Sequence, residues 1–139
     1  MKYIDRALEP LGCTEITSSM VSNYVKKGYI ARPEKKLYRA EQIGRLFIYA
    51  ICKLVLPMEH IMRLNQYQEQ QGYRFEVAYD AFCDELERSL REAFGLEAAP
   101  APTKPLMEGQ GADMLRGVVG AVTNVIYLNA AIARLDEEK

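Results

Sequence analysis

Ser19, Ser22, Asn23, Lys26 and Lys27 repeat at the three- and four-residue spacing of one helix face, and together they carry the chemistry of groove contact. A side-chain amide such as that of Asn23 can bond the edge of an adenine, while hydroxyl and ammonium groups reach phosphates and fix register. Arg32, Lys35, Lys36 and Arg39 follow in a short connector that also holds Pro33. Cations placed there would neutralise backbone phosphates and make affinity fall with salt. The plainer alternative is a capped surface helix followed by a solvated basic loop. Tyr24, Tyr29 and Tyr38 fit core tyrosines with hydroxyls at the surface better than stacking residues.

Reaction chemistry is poorly served. His60, the single histidine, has Glu59 beside it and Arg63 about one turn away, which suits the polar face of a helix. Asp80, Asp84, Glu85 and Glu87 stand at helical spacing to Arg88 and Arg91, a charged face and not a hydrolytic pair. No glycine-rich phosphate loop, nucleophile elbow or metal-ligand spacing is present. The expectation is therefore a non-enzymatic protein without cofactor or metal. Cys13, Cys52 and Cys83 form no Cys-x-x-Cys pair, and three widely spaced thiols suggest neither a disulfide framework nor a zinc knuckle.

The elements that would position these residues read as helices. Residues 2–11 place Ile4, Leu8 and Leu11 on one side, with Gly12 as terminator. Thr17 or Ser18 caps a helix over 18–27 that turns Met20, Val21, Tyr24 and Val25 inward, and Gly28 stops it. Residues 29–38 form a short loop or two-stranded wing. Ile43, Leu46, Phe47, Ala50, Ile51 and Leu54 trace a core helix over 40–56, and Pro57 opens another that runs to about 70. A further helix covers 73–94 through Phe75, Tyr79, Phe82, Leu86 and Leu90.

Pro100, Pro102, Pro105, Gly109 and Gly111 mark 96–112 as a linker before a last helix at 113–137. Leu115, Val118, Val122, Val125, Asn129 and Ile132 approximate a heptad seam for a dimer, in which Asn129 either pairs with its symmetry mate or sits wetted at the rim. Gly117, Gly120, Ala121 and Asn124 make a second, small-residue face, so this helix needs two partners.

With 139 residues, 49% apolar and 27% charged, the chain has the size and composition of one folded domain. Its net charge of −1 hides an asymmetry. Residues 1–75 hold 12 Lys/Arg against 7 Asp/Glu, and residues 76–139 hold 6 against 12, as in a binder with a separate assembly region. The first ten residues lack the apolar run of a signal peptide. The stretch 118–135, broken by Thr123, Asn124, Asn129 and Arg134, falls short of the ~20 apolar residues of a span. A cytoplasmic location without membrane contact is the expectation.

The strings MVSNYVKKGYI, LYRAEQIGRL and LVLPMEHI resemble the DNA-binding region of the mercury-resistance-regulator (MerR) family. A closer resemblance, over roughly residues 3 to 95, is to the bacterial family of domain of unknown function 1836. Its shared segments are Ser-Met-x-x-Asn-Tyr-Val-Lys-x-Gly and Pro-x-Lys-Lys-x-Tyr. The resemblance implies an all-α fold: a MerR-like winged helix-turn-helix unit at 1–70, followed by long helices at 73–139 for core completion and self-association. Ser22, Asn23 and Tyr24 stand where MerR-type helices usually carry Arg-Tyr-Tyr. The implied role is a dimeric regulator that binds double-stranded DNA. The competing role is a protein-interaction adaptor on the same scaffold. A small-molecule sensor with Phe75, Tyr79 and Phe82 around a pocket is a third.

Overall fold

The computed structural model describes residues 12, 16–34, 39–97 and 105–137. Among them lie five helices and no strand: α1 (Ser18–Lys26), α2 (Ala40–Cys52), α3 (Met58–Gln70), α4 (Phe75–Ala93) and α5 (Gly109–Glu137). The all-α class expected from periodicity holds. The helix expected at 2–11, together with Lys35, Lys36 and Tyr38 of the expected wing, lies outside the described residues. The chain divides into two compact units, Met1–Met62 and Arg63–Lys139.

In the first unit, α1 begins where the Thr17 hydroxyl accepts a hydrogen bond from the amide of Met20 at 3.1 Å. It ends in a Schellman turn: Tyr29 N–H bonds the carbonyl of Tyr24 at 2.8 Å and Gly28 N–H that of Val25 at 3.0 Å. Gly28 carries the positive φ of 76° that this turn requires. Val21 and Tyr24 are the buried residues of the helix, against Leu46, Tyr49, Ile51 and Cys52 of α2 as the buried apolar set of its neighbour. Tyr49 and Gln42 belong to that buried face, although the apolar stripe read from the sequence ran through Ile43 and Phe47 instead.

The α2 helix stops at Cys52, short of the expected 56. Val55 and Leu56 N–H groups both bond back to the carbonyl of Cys52, at 3.0 and 2.9 Å, and close a turn. Pro57 contributes, since its ring would clash with the Lys53 carbonyl of a continuing helix and it disfavours helical conformation at Leu56.

In the second unit, α4 and α5 run in the same direction. The Ser89 and Thr123 hydroxyls are 2.7 Å apart, and further along the Phe94 and Tyr127 rings stand 5.7 Å apart. Phe82 and Leu86 of α4 and Val119, Val122 and Ile126 of α5 are the buried apolar residues of this pair. The helix α5 starts at Gly109, four residues before the expected start, so the expected linker is shorter at its end. Gly111, read from the sequence as a breaker, is a point of close approach. The Gln68 Nε2 donates to its carbonyl at 3.0 Å, and a Cβ at Gly111 would lie 2.5 Å from Gln68 Oε1. By length and composition α5 is apolar enough to cross a membrane, a test that the core helix of a soluble protein also passes.

Candidate nucleic-acid interface

The five polar residues singled out on α1 come together. Ser19, Ser22, Asn23, Lys26 and Lys27 are all exposed, while Val21 and Tyr24 on the opposite side are buried. The helix therefore presents one polar, doubly cationic face and is gripped by the other.

Three tyrosines hold it. Tyr24 stacks edge-on against Tyr49, with centroids 6.0 Å apart and planes at 87°, and its centroid is also 6.0 Å from that of Tyr29. The Tyr49 hydroxyl donates to the backbone carbonyl of Tyr29 at 2.7 Å. Lys53 adds a hydrogen bond to the Tyr24 hydroxyl at 3.3 Å, and Lys27 Nζ sits 6.0 Å from the centroid of Tyr29. Tyr24 thus plays the core role expected of it, and Tyr29 lies half-buried beside it.

A residue that the sequence reading missed fastens the connector to α2. Gln42 is buried, and its Nε2 donates to the carbonyls of Ala31 at 2.7 Å and Arg32 at 2.9 Å. Its Oε1 accepts the N–H of Arg39 at 2.6 Å, supplying the first turn of α2 with an acceptor that the Arg39 side chain cannot offer. Only its place three residues after the helix start, the Gln of a capping box, hinted at this from sequence.

The wing cations are less uniform. Arg32 is exposed, as is Arg39, but Arg39 forms an ion pair with Glu34 at 2.5 Å. That carboxylate offsets a cation sitting at the positive end of α2. Both partners are largely exposed, so the pair is weak and a phosphate can compete for Arg39. Arg45, one turn into α2, bonds Glu41 at 2.9 Å. Burial works against its charge, yet hydrogen bonds with Glu41 and Tyr49 hold its pKa above the usual value.

The remaining sequence candidates fall elsewhere. His60 is exposed. Asp84 and Glu85 pair with Arg88, and Glu87 with Arg91, as a charged face would. No group of His, Cys, Asp and Glu able to hold a metal occurs among the described residues. Phe75 and Tyr79 stack at 5.7 Å and Phe82 is buried. A recess of about 120 Å³ in the second unit is lined by Arg88, Met107, Leu115 and Arg116 among others, and those three aromatic residues lie outside its lining.

The expected dimer seam is split. Val122 has 0% of its surface exposed and offers nothing to a second chain, Leu115, Val118 and Val125 are half-buried, and Asn129 and Ile132 are exposed. Beside them Leu128 and Leu135 are open.

A family model described as Domain of unknown function (DUF1836) matches residues 1–82, a span that takes in α1, α2 and α3 and ends within α4. No curated protein and no solved structure matches the chain.

Proposed function

For a chain that belongs to the DUF1836 family, we propose a non-enzymatic role: a cytoplasmic, DNA-binding transcriptional regulator that acts as a dimer and reads DNA through a MerR-like winged helix-turn-helix arrangement. The observation that carries this reading is the exposed row Ser19, Ser22, Asn23, Lys26 and Lys27 on a helix locked from behind by Tyr24 and Tyr49. A rigid helix with a short amide flanked by hydroxyls and ammonium groups suits insertion in a major groove. Arg32 and Arg39 supply phosphate contacts at its side, joined in this reading by Lys35 and Lys36. Two copies give a short helix the paired half-sites on which specificity depends. In this reading α5 serves a protein contact and crosses no bilayer.

Mobility shift of the full chain against pooled duplex DNA tests it. Retardation at about 50 mM salt should weaken as salt rises, and Lys26→Ala/Lys27→Ala should reduce the logarithmic salt slope by about two. No retardation, or an unchanged double variant, sinks the proposal.

The Glu34–Arg39 pair and the lack of arginine on the α1 face favour a second reading, a protein-interaction adaptor that keeps the scaffold without binding DNA. A negative mobility shift beside a well-folded chain selects it.

A further inference from the structure

One side of α5 is used within the second unit, where Val119, Val122 and Ile126 are buried. A different stripe stays open. Val118, Ala121, Val125, Leu128, Ile132 and Leu135 recur at alternating steps of three and four; Val118 and Val125 are half-buried and Ala121 is exposed. Leu128, Ile132 and Leu135 are 55%, 54% and 61% exposed. They sit beyond Tyr127, which touches Phe94 just past the end of α4, on a run of α5 about 15 Å long that α4 does not flank.

We infer that a second copy of the chain covers this stripe, in a parallel two-stranded coiled coil over residues 118–135. The two layers of the stripe differ in kind. One is β-branched throughout, Val118, Val125 and Ile132, and the other is Ala121, Leu128 and Leu135. β-branched residues at the first core position with leucine at the second favour two parallel strands.

The flanks agree. In this register Asn124 of one copy faces Asn129 of the other on both edges, an amide pair able to donate and accept in each direction, and both residues are exposed. Gly117 and Ala131 leave room, and Asp136 comes opposite Ala131, so no like charges meet along the seam. Asn129 therefore lies at the edge of the contact, and the true seam keeps Val118, Val125 and Ile132 of the sequence reading while Ala121, Leu128 and Leu135 replace Leu115, Val122 and Asn129.

Eighteen helical residues make a strip about 27 Å long and about 10 Å wide. At roughly 270 Å² the strip is no larger than the apolar patches ordinary monomers expose and is well below the roughly 800 Å² per partner of a standard interface, so it is the heptad order of its residues, not its size, that points to a partner. The dimer is therefore weak and reversible. It stands on the α5 stripe alone, whether or not α1 binds DNA.

Sedimentation velocity on the full chain should show a dimer that grows with concentration. Leu128→Glu/Ile132→Glu should raise its dissociation constant by at least about tenfold with far-ultraviolet circular dichroism unchanged, because both carboxylates would be buried in the seam. Oxidised Leu135→Cys should cross-link to itself, whereas Ala133→Cys, on the opposite side, should not. A monomer at all concentrations up to hundreds of micromolar, or a dimer indifferent to the double substitution, overturns the inference. A dimer in which Leu135→Cys stays uncrosslinked overturns the parallel register. Co-sedimentation with phosphatidylcholine vesicles that the same double substitution abolishes would assign the stripe to a bilayer and overturn it too. Loss of DNA retardation with the dimer intact strikes only the proposed function.

Discussion

The Tyr49 hydroxyl reaches back 20 residues to bond the main-chain carbonyl of Tyr29 at 2.7 Å, from a side chain only 1% exposed. The bond joins the last turn of α2 to the turn that ends α1, so the pose of the exposed α1 face depends on it. Tyr49→Phe keeps the ring and its contact with Tyr24 but strands the carbonyl. A loss of about 1–2 kcal/mol in urea unfolding, with unchanged m-value, is expected.

Gln42 makes three hydrogen bonds to main-chain groups, donating two and accepting one. Gln42→Ala should cost about 1–2 kcal/mol, since part-buried main-chain groups lose partners at both ends of the connector. Gln42→Glu keeps the acceptor for Arg39 N–H but turns a carboxylate toward the carbonyls of Ala31 and Arg32. It should be at least as damaging at pH 7 and recover toward pH 4, where a protonated carboxyl can again donate; thermal melts at the two pH values read this directly.

Two glycines of α5 should respond oppositely to alanine. Nothing lies within 4 Å of a Cβ placed on Gly120, whereas one on Gly111 meets Gln68 Oε1 at 2.5 Å. Gly120→Ala should stabilise the chain by about 0.5–1 kcal/mol through helix propensity. Gly111→Ala should forfeit that gain by displacing the buried Gln68 amide from its bond to the Gly111 carbonyl. Equilibrium denaturation of the pair is the check, and an equal gain at both positions would refute the close approach.

Cys83 reaches the surface, yet partial burial pushes its thiol pKa up, with Asp80 adding to the rise and a hydrogen bond from Tyr79 opposing it. A raised pKa leaves less thiolate at neutral pH, so iodoacetamide should modify Cys83 more slowly than a free cysteine at pH 7.5. The rate should climb with pH and quicken in Asp80→Asn, as followed by mass spectrometry of the Cys83 peptide.

Local chemistry was the readable part. The Thr17 cap, the Gly28 turn and the division of α1 into Val21 and Tyr24 inside against Asn23 and Lys26 outside depend on neighbours within one helical turn. Gln42 was illegible because its partners lie ten and eleven residues upstream and meet it only once the connector folds back. The start of α5 was hidden by Gly109 and Gly111, whose type signals a break, although Gly109 serves the helix start with a φ of 72° and Gly111 lies inside the helix against Gln68. Which stripe of α5 stays open was illegible because the helix is apolar on more than one side, and only the approach of α4 decides that Val122 is spent inside and Leu128 is not.

Because α4 and α5 point the same way, no tight hairpin can join them. The route from Phe94 back to Gly109 must recover the climb of α5 from Gly109 to Tyr127, about 27 Å. At roughly 3.3–3.6 Å per residue, eight or so extended residues are the minimum, and the chain provides fourteen between them. Excising two or three residues still leaves enough chain to span this distance. Removing eight would leave α5 unable to reach its own α4 and drive it onto another molecule's, a domain-swapped assembly born of geometry alone.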